Sequence, residues 1–146
     1  MSGAGTNPIG IRAIDHVVLR SDNIASLLQF YGVVLGCVTE RELGPEFGLI
    51  QLRAGKSLID LVDVNGELGR MGGPAPGKDG HNLDHFCLEI DAMDEQTLLD
   101  WLAANQVKVS GFEQRYGANG FGRSVYIQDP DGNTVELKLA ARSPAD

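Results

Sequence analysis

The sequence predicts an α+β fold made of two tandem βαβββ modules that together form a curved mixed sheet. Three observations predict it. The order strand, helix, strand, strand, strand occurs twice along the 146 residues. The two passes match in detail: Ile14-Asp15-His16-Val17-Val18-Leu19 parallels Leu83-Asp84-His85-Phe86-Cys87-Leu88, and Ser57-Leu58-Ile59-Asp60-Leu61-Val62 parallels Asn133-Thr134-Val135-Glu136-Leu137-Lys138. In the first strand of each pass and in the last two strands of the second, apolar and polar residues alternate, as a sheet with one packed face requires. An internal repeat of this kind constrains the whole chain.

The elements follow in order. Ile11 to Leu19 is rich in Ile and Val and reads as a strand. Ser21 or Asp22 can cap the helix that follows, where Ile24, Leu27, Leu28, Tyr31 and Leu35 recur at helical spacing. Gly36 stops it. Strand-like runs come next at Cys37 to Leu43, Phe47 to Arg53 and Leu58 to Val64, separated by Gly44-Pro45 and Ala54-Gly55. Asn65 to Gly80 holds six glycines and two prolines without a periodic pattern, so it reads as a linker. The order then returns. Leu83 to Ile90 is a strand, and Asp91 or Asp94 caps a helix carrying Leu98, Trp101 and Leu102. Val107 to Gln114, Arg123 to Gln128 and Thr134 to Leu139 are strands, the last two joined by the turn residues Asp129-Pro130-Asp131-Gly132-Asn133. The expected division is a loose leader at 1–10, one domain at 11–140 (modules 11–64 and 81–140 around a linker at 65–80) and a short tail. Leu27, Tyr31, Trp101 and Leu102 are expected in the core.

Composition narrows the function. Net charge is −8, so electrostatic binding to nucleic acid or to an anionic membrane is not expected. No stretch approaches the roughly 20 apolar residues of a membrane helix, and the leader lacks the basic and apolar regions of a signal peptide. Cys37 and Cys87 form no metal-binding pair, and reduced thiols in a cytoplasmic protein are the expectation.

Strand parity gathers the polar residues. One sheet face packs on the helices; the other carries His16, Asp60, His85, Tyr126 and Glu136. Asp60 is set among Leu58, Ile59, Leu61 and Val62, and a buried carboxylate in such company is paired or metal-bound. Two imidazoles with one or two carboxylates suit zinc, nickel, iron(II), cobalt or manganese. His81, at the end of the linker, reads as a surface residue.

These segments resemble the vicinal oxygen chelate superfamily, which includes glyoxalase I, bleomycin-resistance proteins and extradiol dioxygenases. The resemblance is carried by Asp15-His16-Val17-Val18-Leu19, by Phe30-Tyr31 through Leu35-Gly36, by Asp84-His85-Phe86, and by Asp129-Pro130-Asp131-Gly132-Asn133 through Glu136-Leu137. It implies a sheet curved around one divalent metal, with His16, His85 and Glu136 at the ligand positions. Asp60 falls where glyoxalase I has a fourth carboxylate, and is shorter than Glu by about 1.5 Å. The metal would chelate two neighbouring oxygens of a small substrate and act as a Lewis acid, with Glu136 or Asp60 moving a proton. A glyoxalase-I-like lyase or isomerase is the first expectation. An iron(II) ring-cleaving dioxygenase is the second, because Tyr126 matches a tyrosine in the active sites of such enzymes. A non-enzymatic drug-binding resistance protein is the third, disfavoured by the retained ligand set. Arg53, Arg115 and Arg123 are candidates for holding substrate carboxylates. The resemblance also implies a homodimer, with sites that can be built across its interface.

Overall fold

The computed structural model describes residues 11–79 and 83–142. The leader, His81 and the end of the tail lie outside the described residues. Within them the βαβββ order is present twice, as two four-stranded mixed sheets. The first is ordered β1-β4-β3-β2, from His16–Ser21 (β1), Val38–Leu43 (β2), Leu49–Ala54 (β3) and Ser57–Asp63 (β4). The second is ordered β5-β8-β7-β6, from Phe86–Ile90 (β5), Glu113–Gly117 (β6), Gly120–Gln128 (β7) and Thr134–Leu139 (β8). In each sheet the first strand runs parallel to the last and the rest are antiparallel. The first strand of each module is therefore a sheet edge, as is the second.

Several elements depart from the sequence expectation. The first helix is α-helical only over Ile24–Leu28 (α1). It continues as a π-helix over Gln29–Val34, where Leu35 N–H reaches the Phe30 carbonyl five residues back at 3.0 Å. Its N-cap is Asn23, whose side chain accepts from Ser26 N–H. Ser21 acts one step earlier, accepting from Asn23 N–H at 2.8 Å. Gly36 ends the segment as expected: its φ of 81° permits Cys37 N–H to return to the Tyr31 carbonyl at 2.8 Å. The linker holds a four-residue helix, Glu67–Arg70 (α2), seated against β4 through Gly69. A Cβ there would lie 1.9 Å from the Asp63 carbonyl oxygen. Arg20 donates from β1 to the carbonyls of Gly69 and Gly73, at 3.0 and 2.6 Å, and so ties the linker down. The third helix, Glu95–Ala104 (α3), begins after Asp94.

β6 begins at Glu113, six residues later than the run Val107 to Gln114 suggested. Val107, Val109 and Phe112 pack against the core without ladder pairing, so their apolar character reflects burial. One core joins the modules. Leu27, Phe30, Tyr31, Leu52, Ile59 and Leu61 from the first meet Leu98, Leu102, Val125, Ile127, Val135 and Leu137 from the second. Trp101 is a correction: it is half-exposed, its rim outside the core, and its indole N–H donates to the Val34 carbonyl at 2.8 Å. An indole needs a partner for its N–H, and a place at the core margin supplies one.

Candidate functional site

His16 is the first residue of β1, and Val18 pairs with Asp60 of β4. Residues two apart share a face, so His16 and Asp60 lie on the same face of the first sheet. Asp60 is 5% exposed. One carboxylate oxygen, Oδ2, accepts from Gln51 Nε2 at 3.1 Å. The other, Oδ1, is buried and has no hydrogen-bond partner. Such an atom is costly unless something positive meets it. His16 Nδ1 lies 2.8 Å from Asp15 Oδ2. That hydrogen bond is the main reason its pKa is raised; burial opposes it, and the charges of Asp60 and Asp15 add to it.

The second sheet repeats the arrangement. Glu136 of β8 pairs with Cys87 of β5 on one side and Tyr126 of β7 on the other. His85, just before β5, shares the face of Cys87. Its Nε2 stands 3.2 Å from Glu136 Oε1, and its Nδ1 stands 2.7 Å from Asp84 Oδ2. The hydrogen bond to Asp84 chiefly raises the His85 pKa, against some burial, and the Glu136 charge assists. Glu136 is buried, which alone would raise its pKa. Hydrogen bonds from Ser124 (Oγ to Oε2, 2.7 Å) and Tyr126, the nearby His85 and Cys87 together outweigh burial and lower it. Cys87 is pushed up to about 11, by burial first and then by the Glu136 charge, so its thiol stays protonated at neutral pH.

Both histidines thus carry an aspartate on Nδ1, so Nε2 is the ring atom that could meet an ion once its proton is lost. This is the carboxylate–histidine arrangement that orients imidazole ligands to metals. The donor set fits a divalent ion in chemistry, and the orphaned Asp60 Oδ1 fits one in electrostatics. The geometry gathers these side chains as two pairs: His16 and Asp60 on one face of the first sheet, and His85 with Glu136 on the second. Among the described residues no three His, Cys, Asp or Glu side chains stand close enough to hold one ion.

Tyr126 packs edge-on against the His85 ring, with centroids 5.5 Å apart, and its hydroxyl accepts from Arg115 Nε at 3.1 Å. Arg115 also pairs with Glu113. Arg53 is held by Glu40 at 2.8 Å. Arg123 pairs with Glu95 at 2.8 Å and alternates with Ser124, so it lies on the face away from Glu136. Four further residues belong to these surroundings: Arg41, Gln51, Ser124 and Lys138. Strand parity alone points to Ser124 and Lys138. Gln51 and Arg41 emerge only once the register sets Gln51 across from Asp60 and Arg41 across from Gln51. Lys138 is buried and donates to the Gly120 carbonyl, in a slot left open by Gly117 and Gly122.

Paired βαβββ modules with a histidine and a carboxylate repeated on each sheet define a recognisable class. Residues 13–137 match the Glyoxalase/Bleomycin resistance protein/Dioxygenase superfamily, and the chain belongs to it. It is 31% identical to a virulence protein of Salmonella typhimurium over 130 residues, covering 87% of this chain and 83% of that protein. A protein from the mobile metagenome of V. Pseudocholerae has a similar structure, with a TM-score of 0.70 at 26% identity, covering 92% of this chain and 98% of that one. So does the lactoylglutathione lyase of Agrobacterium tumefaciens, with a TM-score of 0.63 at 26% identity, covering 92% and 96%. No helix among the described residues is long and apolar enough to cross a membrane.

Proposed function

We propose that this protein is a divalent-metal-dependent enzyme with glyoxalase-like chemistry on a small substrate that offers two neighbouring oxygens. His16, Asp60, His85 and Glu136 are its metal ligands, and two copies of the chain complete each site. The observation that carries this reading is the repeated half-site, with one Nε2 and one carboxylate on each sheet and an aspartate behind each imidazole. His16 and Asp60 of one copy would meet His85 and Glu136 of a second. The half-sites flank the sheet edges β1 and β5, which among the described residues have no strand partners on their outer sides. Val18, on the His16 face of β1, is 48% exposed. Open edges with apolar side chains invite pairing.

The bound ion would supply Lewis acidity to the chelated oxygens. The chain supplies the rest. Glu136, held ionised by Ser124 and its neighbours, takes the substrate proton. Tyr126 and Arg115 shape the wall next to His85. Similarity to a lactoylglutathione lyase makes the hemithioacetal of methylglyoxal and glutathione the first substrate to assay. Activity is expected to vanish on metal removal and to fall at least about 100-fold in Glu136→Gln; full activity in either sinks the proposal.

The Tyr126–His85 contact favours a second reading, an iron(II) ring-cleaving dioxygenase. Oxygen uptake with catechols under iron(II) would establish it, and silence across a catechol panel would dismiss it.

A further inference from the structure

We infer that Gln51 and Arg41 are positioning residues for Asp60, and that they make it a one-oxygen ligand through Oδ1; this rests on the metal-site reading above. The three side chains form a chain across neighbouring strands. In the register Arg41 of β2 lies across from Gln51 of β3, and Gln51 lies across from Asp60 of β4. Arg41 Nη1 donates to Gln51 Oε1 at 3.1 Å, and Gln51 Nε2 donates to Asp60 Oδ2 at 3.1 Å.

The amide orientation follows from its neighbours. A guanidinium only donates and an ionised carboxylate only accepts, so Gln51 must turn its oxygen to Arg41 and its nitrogen to Asp60. That spends Oδ2. Oδ1 remains buried and unpartnered on the face shared with His16. The carboxylate is held by one oxygen and offers the other, which suits single-oxygen coordination and opposes a bidentate grip.

The second module has a counterpart. Arg115 donates to the Tyr126 hydroxyl at 3.1 Å, and Tyr126 lies across from Glu136 in the register. In both modules an arginine from the outer edge strand holds a neutral polar side chain, which in turn faces the carboxylate. The counterpart is not identical, since Ser124 also holds Glu136. Gln51 has no such helper at Asp60, so the first module depends more heavily on its single amide. Arg41 is exposed, and Gln51 is half-buried.

The test is cobalt(II) titration of the full, metal-stripped chain, read by visible d–d absorption and by the dissociation constant. Circular dichroism checks the fold of each variant. Gln51→Leu is expected to weaken cobalt binding about 10- to 100-fold, the usual cost of losing an outer partner of a ligand, and to change the absorption bands as Asp60 turns. Arg41→Met, at an exposed position, is expected to weaken binding several-fold with the fold intact. If either folded variant keeps the wild-type constant and spectrum, the inference fails while the metal-site reading stands. If the wild-type chain takes up neither cobalt nor zinc, both fail together. Should Gln51→Leu not fold, Arg41→Met decides alone.

Discussion

The Tyr31 hydroxyl donates a 2.8 Å hydrogen bond to an Asp129 carboxylate oxygen, joining the two modules through a buried contact. Tyr31 is fully buried in the π-helical segment, and Asp129 opens the β7–β8 turn. Burial and the adjoining carboxylate push the phenol pKa far upward, so it stays a donor at every ordinary pH. The same carboxylate accepts from Asp131 N–H, Asn133 N–H and the Asn133 side chain.

Tyr31→Phe removes one of four donors to Asp129 and leaves the ring packing in place. A loss of about 1–2 kcal/mol is expected in urea unfolding. Asp129→Ala should cost more, since it strands a buried phenol and the N–H groups of the turn together. Equal costs for the two variants would contradict this.

Glycine at 69 is demanded by close approach. Gly69→Ala sets a methyl against the Asp63 backbone, where nothing flexible can yield. A loss above about 2 kcal/mol is expected, with α2 lifting from β4 and Arg20 losing its carbonyl acceptors. Thermal melting reads the loss, and raised proteolysis within 66–74 locates it. A melting temperature equal to wild type would refute it.

The metal-free protein should show a pH signature at His85. Its folded pKa is raised above 6.5 by Asp84, with help from Glu136. The stability this contributes is present below the unfolded value and is lost as pH rises through the folded one. NMR titration of His85 should therefore give a midpoint above 6.5, lowered in Asp84→Asn. The bound proton competes with an ion for Nε2, so metal affinity should rise as pH climbs from about 6 to 8. An affinity flat across that range would speak against His85 as a ligand.

Mixing tests the shared site. One chain carries His16→Ala with Asp60→Ala; the other carries His85→Ala with Glu136→Ala. Each alone should be inactive. Random pairing of equal amounts makes half the dimers mixed, each with one intact site, so about a quarter of wild-type activity should return. No recovery in demonstrably mixed dimers would place the site within one chain.

Much of this was legible in the chain. The duplicated Asp-His, the period-two strands and the turn at 129–133 announced paired βαβββ modules, because a sheet face and a turn leave local marks. Asp60 stood out for the same reason, as a carboxylate within an apolar run. The linker helix was not legible, since four residues held by tertiary contacts carry no periodicity. Neither was the start of β6, where Val107 and Val109 are apolar for packing without being paired.

Sequence by itself determined the two modules and set His16, Asp60, His85 and Glu136 at equivalent places in them, through local strand patterning. Only the tertiary structure decided that His85 meets Glu136, that Asp60 Oδ1 is buried without a partner, and that Gln51 and Arg41 line up behind Asp60 Oδ2. Those facts depend on register between strands far apart in the chain, and register comes from whole-sheet pairing and core packing.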